Sequence, residues 1–333
     1  MAFWENYTLG IHQLADDVWA YLQPDGSWGW NNTALLFSDN ESLLIDTTID
    51  IRTTQRMLKN MRESCNKCES IDTVLLTHWH VDHVHGISAT ELDGCEIVAT
   101  ETCAHYMAQF PPPAWLSAID GLQADAKKQM QHLLKDQFDF SDLKYVQPTQ
   151  TFERAISLNI GGRAVHAVEA QPCHTRSDSI VHLPHAGVVH MGDLVRAGHH
   201  IGLQFPSMAN LLNICETACS WSAQYYVPGH GPLMVHKDML DAMEYLHFIQ
   251  GRAKDSYKAG RTVHEAFDDL LLNLGAYSKY TGLEGLFFTT RMMYNEFAGD
   301  TQDHARKNYP DYLATQWKLK SSLRSRYPQL FSN

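Results

Sequence analysis

Short hydrophobic runs separated by turn-forming residues dominate the first fifty positions of the chain. Val18–Leu22, Thr33–Phe37 and Ser42–Asp46 are each as long as a β-strand and rich in β-branched, aromatic and aliphatic residues. The polar, glycine-containing stretch 23–32, which holds Trp28 and Trp30, is typical of a tight turn. The pattern therefore predicts that the chain begins as strands joined by tight turns.

Helical periodicity first appears at residues 51–63, which contain neither glycine nor proline. Short buried strands are predicted at 72–77 and 97–100, followed by a helical region at 101–140 that Pro111–Pro113 interrupts. Strands then return between 144 and 195, in four segments: 155–160, 164–169, 179–183 and 187–191. Beyond residue 232 the pattern predicts helices to the end of the chain.

This order of elements predicts an α/β protein. Strands, helices, strands and helices follow one another, which suggests two similar halves packed together. A length of 333 residues suits one α/β domain with an extension. We therefore divide the chain into a domain of residues 1–236 and a helical C-terminal extension of residues 237–333.

Composition and charge narrow the class of protein. A hydrophobic fraction of 44% is enough for a sizeable core, and the net charge of -12 disfavours nucleic acid as a partner because phosphate backbones are anionic. No run of eighteen apolar residues suggests a membrane span. The first seven residues lack the features of a secretory signal, and the seven cysteines show no disulfide framework. We therefore expect a cytoplasmic protein.

The chemistry concentrates in one short histidine-rich segment. The chain has 19 histidines. Four residues of metal-ligating types lie within six positions: His78, His80, Asp82 and His83. They directly follow the predicted strand at 72–77. Alternate residues of an extended segment point the same way, so His78 and His80 can reach one ion. This spacing indicates a metal site rather than a polar loop.

Three more ligand-type residues follow predicted strands. His174 comes after the strand at 164–169, Asp193 after the strand at 187–191, and His230 after Tyr225-Tyr226-Val227. Ligands in open α/β sheets usually bind just beyond the carboxyl ends of strands. Each residue is a weak signal alone. Together with the first cluster they supply enough donors for more than one ion, since one zinc takes about four ligands.

The ordered set resembles the metallo-β-lactamase superfamily over about residues 10–236. The resemblance rests on the segments Thr77–His83 with Gly86, His174-Thr175, Gly192-Asp193 and Pro228–Gly231. Leu43–Thr47 also resembles the strand that precedes the first helix of that family. The resemblance implies an αββα sandwich of two mixed β-sheets with helices outside, and here a helical C-terminal extension.

The resemblance also implies roles for individual residues. His78, His80 and His174 would bind a first metal. Asp82, His83 and His230 would bind a second, and Asp193 would bridge both together with a water or hydroxide. Asp82 is further expected to have a catalytic role, orienting the hydroxide or accepting its proton. The expected cofactors are two divalent metal ions, zinc first, with manganese or iron as alternatives.

Asp193 guides the expected reaction. Classical β-lactamase branches usually lack aspartate at this position, whereas glyoxalase II, lactonase and phosphodiesterase branches have it. We expect a dinuclear hydrolase that cleaves an ester-type bond (lactone, thioester or carboxylic ester) of a small molecule through metal-bound hydroxide. Open alternatives are phosphodiester or β-lactam hydrolysis, iron-dependent oxygen or persulfide chemistry, and a module that only binds. The C-terminal segment, which includes the aromatic stretch 283–297, is expected first to pack into the core, with a cover for the pocket or a homodimer interface as alternatives.

Several other residues have two interpretations. Trp28 and Trp30 suit either a flap over the metals or a packed hairpin, and Asp178 suits either a partner of a ligating histidine or turn chemistry. His199 and His200 are candidates for substrate contact, and His85 for support of the site. We interpret the following as structural: Cys65, Cys68, His182, His185 and His190.

Overall fold

The structure of the protein is a computed structural model that describes residues 8–23, 27–65, 68–122, 124–300 and 309–331. Residues 24–26 of the predicted turn lie outside these ranges. So do the first seven residues, on which the expectation about a secretory signal rests. Two β-sheets form the centre of the fold, and helices pack on their outer faces.

The first sheet has seven strands in chain order. The strands are β1 (Gly10–Ala15), β2 (Val18–Leu22), β3 (Thr33–Ser38), β4 (Glu41–Ile45), β5 (Thr73–Leu75), β6 (Glu96–Thr100) and β7 (Gln150–Phe152). Strands β1 to β4 are antiparallel, and β4 to β7 are parallel. Asp39 and Asn40 connect β3 to β4 with φ values of 46° and 63°, and such positive values suit a tight hairpin. The strand pattern predicted for residues 10–50 is confirmed.

The second sheet has six strands in the order β13-β12-β11-β10-β9-β8. They are β8 (Ala155–Ile160), β9 (Arg163–Glu169), β10 (Ser179–Leu183), β11 (Val188–Gly192), β12 (Tyr225–Pro228) and β13 (Met234–Val235). All neighbours are antiparallel except β11 and β12. The prediction of helix beyond residue 232 is wrong for β13. This two-residue strand exists because it pairs with β12, a tertiary contact that periodicity does not reveal.

Five α-helices lie in the described part of the first half of the chain. They are α1 (Ile51–Ser64), α2 (Val81–Val84), α3 (Glu101–Gln109), α4 (Pro112–Asp120) and α5 (Ala124–Met130). The Asp50 carboxylate accepts a hydrogen bond from the Thr53 N–H and caps α1. Helix α3 ends before the proline run, and Pro112 begins α4, where its missing N–H costs nothing. Proline thus interrupts the helical region at 101–140 as predicted.

Alternating residues of the strands face two different cores. Leu36, Leu43 and Ile45 of the first sheet join Val181 and Val188 of the second in one buried cluster between the sheets. The residues between them in sequence point the other way: Leu35 and Leu44 pack with Met57 and Leu58 of α1. Each sheet is therefore buried on both faces, and the predicted αββα sandwich of two mixed sheets is confirmed.

The remaining helices cover the second sheet. They are α6 (Met208–Ser220), α7 (His236–Lys258), α8 (Val263–Leu272), α9 (Leu283–Phe297) and α10 (Tyr309–Arg326). One buried cluster joins Met191 of β11 with Leu211, Leu246, Phe267 and Leu286 from α6, α7, α8 and α9. The extension therefore shares a core with the second sheet, and the division at residue 236 stays a prediction. Within the described ranges, no helix is long and apolar enough to cross a membrane.

Candidate metal centre

The four ligand-type residues of the histidine-rich segment lie at the carboxyl end of β5. That strand is shorter than predicted and ends at Leu75. His78 and His80 follow in extended chain, and α2 turns Asp82 and His83 toward the same region. The step from extended chain to helix explains how six consecutive residues present four side chains to two neighbouring points.

The other three residues come from the second sheet. His174 lies between β9 and β10, Asp193 directly follows β11, and His230 directly follows β12. The edge of the first sheet that carries the histidine-rich segment faces these loops. The seven residues named from the sequence are therefore brought together, from four separate places in the chain.

The seven side chains form two groups. Ligand atoms of His78, His80, His174 and Asp193 lie within 4.8 Å of one another, and so do those of Asp82, His83 and His230. We call these the first and the second ligand group. Within each group the atoms are close enough to coordinate one ion.

Asp193 faces both groups. Its Oδ2 lies 3.4 Å from Nε2 of His174 in the first group and 3.4 Å from Nε2 of His230 in the second. Its Oδ1 lies 3.3 Å from Nε2 of His83. A carboxylate in this position can contribute one oxygen to each of two ions.

The donor set fits bound divalent metal. In the described part of the chain, Nε2 of His78, Nε2 of His83 and Oδ1 of Asp193 are buried without a hydrogen-bond partner. Unpartnered buried polar atoms are uncommon and call for an explanation. Imidazole nitrogens and carboxylate oxygens are the ligands that zinc and related ions prefer. A metal at each group would partner these atoms.

Burial keeps two histidines of the first group, His78 and His80, neutral. Desolvation and the neighbouring His83 hold the pKa of His78 well below its usual range. Desolvation and His174 lower the pKa of His80 to about 3. Neutral imidazoles are the form that coordinates metal, so these two ligands need no deprotonation near neutral pH.

The second group has a strongly negative surrounding. Burial opposes protonation, yet Asp193, Asp46 and Asp82 raise the pKa of His83, and Asp193 and Asp82 raise that of His230 to about 9. The same contacts affect the Asp82 carboxyl. Burial raises its pKa, but His83 and His230 lower it by more, so the net shift of the pKa is downward. The carboxylates thus stabilise positive charge here, a role that suits metal cations.

Asp46 supports both groups and was not identified as a site residue from the sequence. Its Oδ2 accepts hydrogen bonds from His83 Nδ1 at 2.9 Å and from the Thr77 hydroxyl at 2.7 Å. That hydroxyl lies 3.0 Å from His78 Nδ1. Such partners fix the orientation and tautomer of a ligating histidine. An aspartate at the end of a buried strand was the available signal.

The loop of His230 is held by the first sheet's connecting turn. The Trp30 carbonyl oxygen lies 3.0 Å from His230 Nδ1. The Asn32 side chain donates to the carbonyls of Pro228 at 2.9 Å and Gly231 at 2.8 Å. A Cβ at Gly229 would collide with Asp193 Oδ1, so only glycine fits between the two ligands. Nothing in the sequence pattern singled out Asn32.

The loop of His174 is held by Asp178. Its two carboxylate oxygens accept from the N–H and the hydroxyl of Thr175, each at 2.7 Å. Asp178 therefore acts on the residue next to the ligand, and in the described contacts it makes no hydrogen bond to His174 itself. Burial raises the pKa of Asp178.

The tryptophans and some histidines now have defined contacts. Trp30 packs against Phe138 with the two rings tilted by 53°, and its indole N–H donates to Gln137, while Trp28 is exposed. His185 lies 3.1 Å from an Asp17 oxygen, away from the ligand groups. His182 stacks on Trp221. His190 Nδ1 accepts from Gly192 N–H and supports the turn before Asp193.

Four further residues are also placed. His85 is buried with its ring edge against Trp115, and burial lowers its pKa to about 4. His200 is buried and lies 2.7 Å from the Tyr245 hydroxyl, so it does not face a substrate. Cys65 and Cys68 are buried free thiols. These two cysteines form no disulfide with each other.

The fold and the site define a two-sheet sandwich with paired histidine and aspartate groups at one sheet edge. The family model described as the metallo-beta-lactamase superfamily matches residues 27–244, so the chain belongs to this superfamily.

The similarities to individual proteins support the fold and do not identify the substrate. The Anti-Pycsar protein Apyc1 of Paenibacillus sp. (strain J14) is 32% identical over 122 residues, 36% of this chain and 46% of that protein, so the match spans less than half of the relative's length. A metallo-beta-lactamase from Pontibacter korlensis matches at TM-score 0.54 with 18% identity, covering 72% of this chain and 99% of that one.

A larger part of the chain matches another structure. The stereoselective inverting sec-alkylsulfatase Pisa1 from Pseudomonas sp. has a TM-score of 0.64 and 15% identity, and the match covers 90% of this chain and 52% of that one. This share is too large for residues 1–236 alone. At this identity the likeness shows the shared fold, including part of the C-terminal helices.

Proposed function

We propose that the protein is a dinuclear metal-dependent hydrolase that cleaves an ester-type bond in a small molecule: a lactone, a thioester or a carboxylic ester. The observation that carries this proposal is the position of Asp193, whose Oδ2 lies 3.4 Å from a histidine of each ligand group. Superfamily members are mostly metal-dependent hydrolases, and aspartate at this position resembles the glyoxalase II and lactonase branches.

The ligand set assigns a task to each group of side chains. His78, His80 and His174 would hold one ion, Asp82, His83 and His230 the other, and Asp193 would contact both. Divalent ions held by these residues would supply a bound water of lowered pKa and would polarise the bond under attack. Zinc is the expected metal because the donors are imidazole nitrogens and carboxylate oxygens.

Asp82 is the proposed catalytic residue. Its Oδ2 lies 3.1 Å from Nε2 of His230, while Oδ1 is 4.0 Å from Nε2 of His83. The side chains of Asp82 and His230 are 12% and 11% exposed, whereas that of His83 is fully buried. We assign its carboxylate the orientation of the attacking water and the acceptance of its proton.

The cellular setting belongs to the same proposal. All seven cysteines are free, which favours a reducing compartment such as the cytoplasm. The net charge of -12 favours a small-molecule substrate over nucleic acid. A homodimer is also proposed, but the apolar side chains of segment 283–297 do not supply its interface, because Phe287, Phe288 and Met292 are buried in the core that α9 shares with the second sheet.

The experiment is a panel of lactones, thioesters, carboxylic esters, phosphodiesters, sulfate esters and β-lactams, run on zinc-loaded and on manganese-loaded protein. Sulfate esters are included because Pisa1 is a sec-alkylsulfatase. We expect the highest kcat/KM on a carboxylic ester, lactone or thioester, and no turnover by His80→Ala. Activity confined to phosphodiesters or β-lactams would refute the ester assignment, and iron as the native metal with no hydrolysis would refute the hydrolase.

A further inference from the structure

Both residues that the second sheet contributes to the first ligand group are attached to one segment of chain. Residues 194–209, here called the connecting arm, begin directly after Asp193. Near the other end of the arm, the Ser207 hydroxyl donates to the Cys173 carbonyl at 3.0 Å, and Cys173 precedes His174. The position of the arm therefore affects two of the four ligands of the first group.

Helix α9 of the C-terminal extension holds the middle of this arm. The Thr289 hydroxyl donates to the Ile201 carbonyl at 2.6 Å and accepts from the Leu203 N–H at 3.0 Å. Thr289 is fully buried. Two backbone groups of the arm, which would otherwise lack these partners away from water, are satisfied by one side chain.

The same helix also holds the far end of the arm. Glu296 lies seven residues after Thr289, two turns along one face of α9. Its carboxylate accepts from the N–H groups of Met208 at 2.9 Å and Ala209 at 3.1 Å. Ser207, the residue before α6, makes no side-chain capping bond, so Glu296 supplies acceptors that the first turn of α6 needs.

The residues just before α9 add a third attachment. Thr281 N–H donates to the Gly198 carbonyl at 3.0 Å, and the His200 N–H donates to the Thr281 carbonyl at 2.8 Å. The packing leaves no spare room, since a Cβ at Gly285 would lie 2.8 Å from the His200 carbonyl oxygen. The arm is thus fixed along its length by the extension.

The second ligand group has different supports. His83 is oriented by Asp46, and His230 by the Trp30 carbonyl and the Asn32 side chain, all from the first sheet or its connections. Among the described contacts, none of these supports comes from α9. A disturbance of α9 should therefore reach the two groups unequally.

We infer that α9 is a positioning element for the first metal: Thr289 and Glu296 hold the connecting arm so that His174 and Asp193 stay within reach of His78 and His80. This inference rests on the proposed function, because it requires that the two groups bind metal. It adds that the C-terminal extension acts more strongly on the first site, through both His174 and Asp193, than on the second, which it reaches through Asp193 and not through His174.

The test is a zinc titration of the metal-free protein in competition with a chromophoric chelator, which resolves two stepwise affinities. His80→Ala and Asp82→Ala, each lacking a ligand of one group, assign the two steps. The test variants are Thr289→Val, which keeps the size but loses the hydroxyl, and Glu296→Ala. The matched control is Thr290→Val, because Thr290 is equally buried but its hydroxyl donates to Leu286 within α9, at 2.7 Å.

We expect Thr289→Val and Glu296→Ala to weaken the first-group step by about tenfold, in the range known for residues that orient metal ligands. The second-group step should weaken less, because the arm reaches that group through Asp193 but not through His174. Both steps should stay unchanged in Thr290→Val and in Thr289→Ser, which keeps the hydroxyl. If Thr289→Val does not fold, Glu296→Ala with Glu296→Gln as its conservative partner carries the test.

Three results would overturn the inference: equal losses in Thr289→Val and Thr290→Val, equal weakening of both steps, or no change at the first step. A wild-type protein that bound fewer than two zinc ions would refute the proposed function instead. Two wild-type steps without a selective loss would refute the inference alone.

Discussion

The two ligand groups are built in different ways. In the second group, His83 Nδ1 and His230 Nδ1 each face a fixed acceptor, Asp46 at 2.9 Å and the Trp30 carbonyl at 3.0 Å. In the first group, His80 and His174 contact each other at 3.0 Å, and His174 owes its place to anchors on its loop. In the second group, two histidines are therefore oriented by direct hydrogen-bond partners. In the first group, the position of His174 depends more on the packing of segments that are distant in the chain.

The largest expected effect comes from Asp193, which belongs to the first group and also faces the second. Asp193→Asn removes the charge but keeps the size, so each ion loses an anionic oxygen. We expect both zinc affinities to fall by more than the roughly 100-fold that loss of an orienting residue costs, and kcat to fall by several orders of magnitude. The melting temperature of the metal-free protein should be largely retained. Two tightly bound ions with near-normal turnover would show that Asp193 does not bridge.

A smaller effect, felt unequally by the two groups, is expected from Asp46→Asn. Asp46 contacts His83 directly and His78 only through the Thr77 hydroxyl. The second-group affinity should fall by about 10- to 100-fold and the first-group affinity by less. Stepwise zinc titration measures both.

The control for this variant is Asp50→Asn. Asp50 is also fully buried, but it caps α1 and contacts no ligand in the described structure. Asparagine keeps a capping oxygen, so this change should lower the free energy of unfolding by less than about 1 kcal/mol and leave both zinc affinities intact. Equal metal loss in the two variants would mean that Asp46 acts through the fold and not through the histidines.

A buried histidine of the connecting arm, His200, should make the stability of the protein depend on pH. His200 is buried against Tyr245, and burial lowers its pKa to about 3. The unfolded chain therefore binds a proton at His200 below about pH 6.5 while the folded chain does not, so stability falls as the pH falls from about 6.5 to 3. In metal-free protein, His200→Asn should reduce this slope by about 1.4 kcal/mol per pH unit. An unchanged slope in chemical denaturation would contradict the burial of a neutral His200.

The smallest effect is expected outside both groups. His185 contacts Asp17 and lies away from the ligands, so His185→Ala should keep both zinc affinities and most of the activity. His80→Ala should lose the first-group ion and the activity. Similar losses in the two variants would mean that the wrong histidines are assigned to the metals.

The fold was largely predictable from local patterns. The short alternating strands, the helix at α1 and the prolines before α4 all leave signals within a few residues, and the structure has them near the predicted places. The short strand β13 left none, because two residues become a strand only by pairing with Tyr225 and Tyr226. Pairing across the sheet is a tertiary property.

The ligand residues were also accessible from the sequence, but their supports were not. A ligand can be recognised in the sequence as a histidine or aspartate that follows a predicted strand, as His78, His174 and Asp193 do. Asn32 and Thr289 support the centre through hydrogen bonds to backbone carbonyls far away in the chain, such as Asn32 to Gly231 and Thr289 to Ile201. Buried amides and hydroxyls of this kind have no sequence spacing that distinguishes them from ordinary core polar residues.

The central claim is that these two groups hold two metal ions with Asp193 between them. Crystals of the zinc-loaded protein, measured at the zinc absorption edge, test it most directly through the anomalous difference map. The account predicts two peaks per chain, one among His78, His80 and His174 and one among Asp82, His83 and His230, with Asp193 contacting both. A single peak, or peaks away from these side chains, would contradict it.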